Sequence, residues 1–430
     1  MIRAVSAAAP IPPPVVDALA HLLAHLLRFD GPADAAMSRF FRDRPQLGAR
    51  DRSLIAEGAF DAMRRLASLA WMMAPAVPER ASRLAALMTL GRQHGIAALE
   101  DRTLRGDARA VRHALGLDPR RAPAAVRAEV PAWALELIEA QYPDAEALLA
   151  ANAQPAPLDL RVNTIKADRD EVLAELAASG VRARATSYSP DGVRLDEKPG
   201  LTRWPIYKEG RIEVQDEGSQ LVARLVAPRR GQMVADLCAG AGGKTLALGS
   251  LMRSSGRIYA YDNNVRRIAG LSPRLKRSGL SNVHPVAIAN ENDLRLKRLG
   301  GKFDRVLVDA PCSGSGTWRR NPDLKWRFDQ GEVARLTEIQ GRVLRAGARL
   351  VKPGGRLVYA TCSLLAVENQ DLVAAFLEAD PAFAPVPAAD VLRPQGIEIA
   401  SAERFAPWFV MLPHLHGTDG FFSAVLERSR

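Results

Sequence analysis

The spacing of hydrophobic positions changes twice along this chain. From Val15 to about residue 150 they recur every three or four residues. Leu19, Leu22, Leu23, Leu26 and Leu27 form the first run, and Leu54, Ile55, Ala59, Met63 and Leu66 continue it within Arg50 to Met73. Arg83 to His94 and Ala132 to Tyr142 repeat the pattern, with Pro123 and Pro131 punctuating loops. That period puts one apolar stripe on each of a series of helices. Strand signals are nearly absent, so residues 1–150 are expected to form an all-helical domain.

After Pro155-Ala156-Pro157 the period shortens. Leu158 to Thr164 alternates as a strand does, Asp168 to Ser179 reads as a helix, and Val181 to Val193 offers short strands broken at Pro190-Asp191-Gly192. Residues 151–225 thus read as a small α+β segment. Beyond Gly231, strands are predicted at 233–237, 257–262, 283–288, 304–309 and 355–361, alternating with helices at 243–253, 264–278, 331–350 and 366–379. Such alternation predicts a parallel sheet with helices on both faces, a Rossmann-like α/β domain over residues 226–430. Gly420 to Glu427 is expected to add an edge strand.

Composition adds limits. With 430 residues, 47% hydrophobic and 25% charged, the chain can build its core without disulfides or structural metal. Lys plus Arg number 59 against 48 acids, a net charge of +11, which favours a polyanionic partner, nucleic acid first. The Ala- and Pro-rich start, Met1 to Val16, lacks a signal-peptide core. No apolar run reaches the roughly 18 residues of a membrane span, so no membrane association is expected. Three cysteines cannot all pair and no Cys-x-x-Cys occurs, which fits a reducing cytoplasm. His21 and His25 are one helical turn apart but lack further ligand residues, so no metal is expected.

Chemistry concentrates where strands run out into loops, the edge at which open α/β sheets bind ligands. Asp236-Leu-Cys-Ala-Gly-Ala-Gly-Gly-Lys-Thr245 follows one strand and opens a helix. A P-loop would need Gly where Cys238 stands. A dinucleotide fingerprint would need Gly where Thr245 stands. S-adenosylmethionine remains: it has no pyrophosphate to cradle, and Asp262, ending the next strand, is placed for its ribose hydroxyls. The other two cysteines sit in Asp309-Ala-Pro-Cys312 and Ala360-Thr-Cys362. Flanked by small and polar residues just past strands, they differ from the usual buried structural cysteine.

A thiol beside a methyl donor suits one reaction well. Cytosine C5 is a poor nucleophile until a thiolate adds to C6 and makes C5 enamine-like. A carboxyl group near N3 stabilises that addition, and Asp309 stands at the right strand end. The residues alone leave open whether Cys312 or Cys362 attacks.

The chain resembles the RsmB/Sun/NOP family of RNA 5-methylcytosine methyltransferases. The resemblance rests on Arg161-Val-Asn-Thr164, Val214-Gln-Asp-Glu-Gly-Ser-Gln220, Asp236 to Thr245, Asp309 to Gly316, Arg319 to Trp326, Tyr359 to Ser363, and Glu368-Asn369. It implies that Cys362 is the nucleophile and that Cys312 assists release. It also implies that Cys238, Ala239, Gly240, Ala241, Gly242, Gly243 and Lys244 line the S-adenosylmethionine site with Asp262 and Asp309, and that Lys244 also reaches the base. The family's acid after the third strand meets the adenine. Here Asn290 or Glu291 occupies that place. The substrate implied is RNA, ribosomal first, with transfer RNA as the alternative. A non-catalytic RNA-binding assembly factor is a reading from another class. A monomer is expected. Trp318 to Arg327, basic residues interleaved with Trp, is expected to contact RNA. Phe40 to Met73 loosely resembles the NusB-like helical RNA-binding module of RsmB-type enzymes.

Overall fold

The computed structural model describes residues 10–197 and 199–430; most of the Ala- and Pro-rich start lies outside the described residues. The chain forms two compact units. One takes residues up to Gln154 together with Trp318–Asp329, the other Pro155–Thr317 and Gln330–Arg430.

The first unit is helical. Helices Pro13–Leu26, Ala49–Arg64 and Ser82–His94 turn Leu19, Leu23, Ile55, Met63, Leu87 and Leu90 into its core. The helical spacing that runs from Arg50 to Met73 is carried by two helices, Ala49–Arg64 and Leu66–Met73. The break falls at Arg65, whose backbone leaves the helical region at φ −115°, ψ 31°.

Residues 318–329 correct an expectation. Trp318, Arg319, Asp323 and Lys325 are buried in the helical unit rather than presented to solvent. Met63 and Arg64 lie in the last turn of their helix, where carbonyls lack intrahelical partners. Trp326 Nε1 donates to the Met63 carbonyl at 2.7 Å, and Lys325 Nζ to those of Arg64 at 2.8 Å and Glu129 at 3.0 Å. Burial pushes the Lys325 ammonium down to about 7. A pattern that reads as a stacking loop is largely a packed one, because Trp and the Lys stem carry large apolar area and both end in donors.

The second unit holds two sheets. The smaller is antiparallel, with strands β1 (Leu158–Val162), β2 (Ala183–Ala185), β3 (Gly192–Leu195) and β4 (Ile212–Val214) in the order β2-β3-β1-β4. Helix Arg169–Ala178, opened by a capping box between Asp168 and Glu171, packs Val172 and Leu176 with Leu160, Val162, Val193 and Ile212.

The larger sheet comprises β5 (Met233–Leu237), β6 (Arg257–Asp262), β7 (Val283–Ala287), β8 (Phe303–Asp309), β9 (Val351–Thr361), β10 (Phe383–Val386), β11 (Phe409–Met411) and β12 (Phe421–Arg428). Its order is β10-β12-β9-β8-β5-β6-β7, with β11 also on β12. Strands β5 to β9 are mutually parallel. The order reverses at β5 and β8, the switch point where α/β sheets open a ligand crevice. Strand β12, expected at an edge, is interior: it pairs antiparallel with both β9 and β10. Its outer neighbour was hidden because Pro385 interrupts the strand pattern of β10, and Pro is tolerated chiefly at edges. Among the described residues no helix is long and apolar enough to cross a membrane.

Candidate active site

The carboxyl ends of β5, β6, β8 and β9 bring most of the predicted residues together. The loop after β5 bends through positive φ at Cys238 (64°), Gly240 (58°) and Gly242 (83°) before helix Gly243–Leu251 begins. Gly242 is required twice over: its φ disfavours side chains, and a Cβ there would lie 2.1 Å from Leu271 Cδ1. Gly240 N–H donates to Asp262 at 2.8 Å, and the other oxygen of that carboxylate accepts Asn264 N–H at 2.6 Å. Each oxygen keeps a lone pair for a ribose hydroxyl. A Cβ on Gly240 would meet nothing nearer than 4.0 Å, so the loop faces open space beside the carboxylate. This donor and acceptor set fits S-adenosylmethionine.

Burial, then the charges of Asp262 and Asp309, push the Cys238 thiol far up, leaving it a neutral lining group. Asp236, buried beneath the loop, is raised to about 7 by desolvation, although Thr245 Oγ1 donates to it at 2.6 Å. Lys244 Nζ lies 2.8 Å from both oxygens of Asp309 and 5.5 Å from the centroid of the Phe421 ring. Burial acts to lower the Lys244 pKa, but the Asp309 carboxylate outweighs it and holds the ammonium charged.

Strands β8 and β9 are neighbours in register, Asp309 beside Ala360, which aligns the two thiol loops. Cys312 Sγ and Cys362 Sγ stand 3.4 Å apart in a thiol–thiol hydrogen bond, both half-buried and neither in a disulfide. The hydrogen bond with Cys362, then burial, pushes the Cys312 thiol well above its ordinary value.

After β7 the two adenine candidates part. Glu291 is paired with Arg342 at 2.9 Å, while exposed Asn290 accepts Asn292 N–H at 2.8 Å. The sequence reading assigned no role to Arg274 and Glu213. Arg274 Nη1 donates to the Ala241 carbonyl of the cofactor loop at 2.7 Å, while Glu213 of β4 accepts from the same guanidinium at 2.9 Å. No local signal marks that pair, since β4 and the loop meet only in the folded unit. Glu368, visible in the sequence only within the family pattern, lies fully buried behind the thiols. Among the described residues no group of three or more His, Cys, Asp and Glu is placed to hold a metal ion.

A reversed parallel sheet, a glycine-bent loop at its switch point and an acid ending the second strand define a Rossmann-like, S-adenosylmethionine-dependent methyltransferase fold. A methyltransferase homologue protein from Pyrococcus horikoshii shares it, with a TM-score of 0.60 at 28% identity over 73% of this chain and 100% of that one. The chain belongs to the RsmB/F family. The family model described as 16S rRNA methyltransferase RsmB/F matches residues 223–427, and that of the RsmF/B-like ferredoxin-like domain matches residues 130–202. Ribosomal RNA small subunit methyltransferase B of Sodalis glossinidius is 37% identical over 295 residues, 68% of this chain. The probable enzyme of that name from Synechocystis is 37% identical over 305 residues, 70% of this chain. The chain spans 64% and 67% of the lengths of these two relatives.

Proposed function

We propose that this protein methylates C5 of a cytosine in RNA, with small-subunit ribosomal RNA as substrate, through a covalent adduct on Cys362. The observation that carries the reading is the pair of thiols 3.4 Å apart beside the Lys244–Asp309 ion pair at the switch point of the sheet. The ribosomal substrate is supported by the names of the relatives, and a polyanion by the net charge of +11.

The cytosine must leave its stack to reach the thiols. The Cys362 sulfur adds to C6 as its thiol proton passes, by way of the Asp309 carboxylate steered by Lys244, to N3, where it neutralises the electron density pushed onto the ring. S-adenosylmethionine, held by the Cys238–Lys244 loop and Asp262, with Asn290 rather than the paired Glu291 toward the adenine, supplies the methyl group. Adduct formation turns the Cys362 sulfur into a thioether. That removes the partner whose hydrogen bond and charge oppose ionisation of Cys312. Cys312 therefore ionises more readily, so that its thiolate is available to accept the C5 proton at the stage when that proton must leave.

The test is methyl transfer from labelled S-adenosylmethionine to small-subunit RNA, with bisulfite mapping of the product. Cys362→Ala is expected to abolish transfer, and Cys312→Ala to trap a protein–RNA adduct seen as a shifted gel band. Full activity in Cys362→Ala would overturn the covalent reading.

A further inference from the structure

A 3.4 Å approach of two sulfurs on separate loops needs a rigid part between them. Cys312 follows the Ala-Pro turn after β8, and Cys362 follows β9 directly. The residue after each is a serine, and both serines converge on Glu368. Glu368 Oε1 accepts Ser313 N–H at 2.9 Å and Gln340 Nε2 at 2.8 Å, and Oε2 accepts the hydroxyls of Ser313 and Ser363. All of the roughly four acceptor sites of a carboxylate are thus used. Its backbone is fixed as well, because the Tyr359 hydroxyl donates to the Glu368 carbonyl at 2.7 Å. Two direct ties between the loops run alongside: Gly316 N–H to the Cys362 carbonyl at 2.9 Å, and Leu364 N–H to Ser315 Oγ at 2.7 Å. Glu368 is fully buried and touches neither sulfur in any of these bonds.

We infer that Glu368 is a positioning residue: it clamps both thiol loops to one carboxylate and thereby sets the distance over which Cys312 acts on an adduct carried by Cys362. The inference rests on the covalent reading above. In the release step a base takes the C5 proton, the C–H electron pair re-forms the C5=C6 bond, and the Cys362 sulfur leaves as a thiolate. Release therefore depends on where Cys312 stands relative to Cys362, whereas attack depends on Cys362 and the base alone. Loosening the clamp slows release more than attack. Catalytic groups need this kind of second layer to hold them within a fraction of an ångström.

Glu368→Gln keeps the volume but presents an amide donor where only acceptors fit. Two readouts test it. The first needs no substrate: diamide takes two hydrogens from the thiol pair, becoming the hydrazine and leaving a Cys312–Cys362 disulfide, which peptide mass mapping counts. A displacement of about 1 Å should slow this at least tenfold, since misplacements of that size cost up to roughly 100-fold in rate. The second is single-turnover kinetics on small-subunit RNA, where the adduct should persist about tenfold longer while its formation changes about twofold or less. Ser313→Ala and Ser363→Ala each remove one arm and should give smaller effects of the same kind, a second route if Glu368→Gln does not fold. Unchanged S-adenosylmethionine affinity certifies folding. Parent-like disulfide formation and adduct lifetime in Glu368→Gln would overturn the clamp. If the parent protein forms no adduct at all, the covalent reading fails, and the diamide rates still judge the clamp.

Discussion

Lys244 Nζ sits 2.8 Å from the Asp309 carboxylate, tying the cofactor loop after β5 to the thiol loop after β8. The two motifs are far apart in sequence, and the pair makes them one site. Asp309→Asn and Lys244→Met should each lower single-turnover methyl transfer by about 100-fold or more, the range of a lost proton-handling group. Because each acts through the other, the double variant should be little worse than the poorer single one. Simple additivity of the two losses would show that they work independently.

Asp262 holds the cofactor loop through Gly240 and has lone pairs left for a ribose. Asp262→Ala is expected to weaken S-adenosylmethionine binding by about 10- to 100-fold, the worth of charge-assisted hydrogen bonds of about 1.5–3 kcal/mol. Calorimetric titration measures this directly. An unchanged Kd would remove Asp262 from the site.

Gly316 marks a close backbone approach between the Cys312 loop and the start of β12. A Cβ there would lie 2.3 Å from the Gly420 carbonyl oxygen, while Gly420 N–H donates to Gly316 O at 2.8 Å. Gly316→Ala must push two backbones apart, an overpacking cost of about 1–3 kcal/mol. Urea unfolding of the variant should show a lowered midpoint with an unchanged slope.

Lys325 gives a pH signature to the helical unit. Folded, it loses its proton near pH 7, because burial lowers its pKa to about 7. Unfolded, it keeps the proton to about pH 10. Between those values the unfolded chain binds more protons, so this group's contribution to stability rises with pH. Lys325→Met has no such term. Its Tm relative to the parent should therefore fall steadily as pH rises from 7 to 10, followed by circular dichroism at each pH. A pH-independent difference would mean that Lys325 titrates normally.

Much of the site is legible in order and spacing. The apolar run before Asp236, the glycines after it and the acid ending the next strand are short-range features, and β5 and β6 fall at their predicted residues. The cysteine loops announce themselves because small and polar residues follow apolar strands directly. The role of Glu368 is not legible. A lone acid six residues past Cys362 has no local signature, and its meaning comes from Ser313, 55 positions earlier. Nor is the fate of Trp318 to Arg327 legible, since exposed and buried Trp–Lys segments have the same composition.

The sequence by itself determined the helical start, the strand–loop–helix alternation, and which residues stand at strand ends, because backbone hydrogen bonding and side-chain periodicity act over a few residues. Only the tertiary structure decided that β12 lies inside the sheet, that Lys325 caps a helix end, and that Cys312 and Cys362 meet at 3.4 Å under one carboxylate. Those outcomes depend on which distant groups are left needing a partner once the core has closed, and burial makes an unmet hydrogen bond costly enough to choose among them.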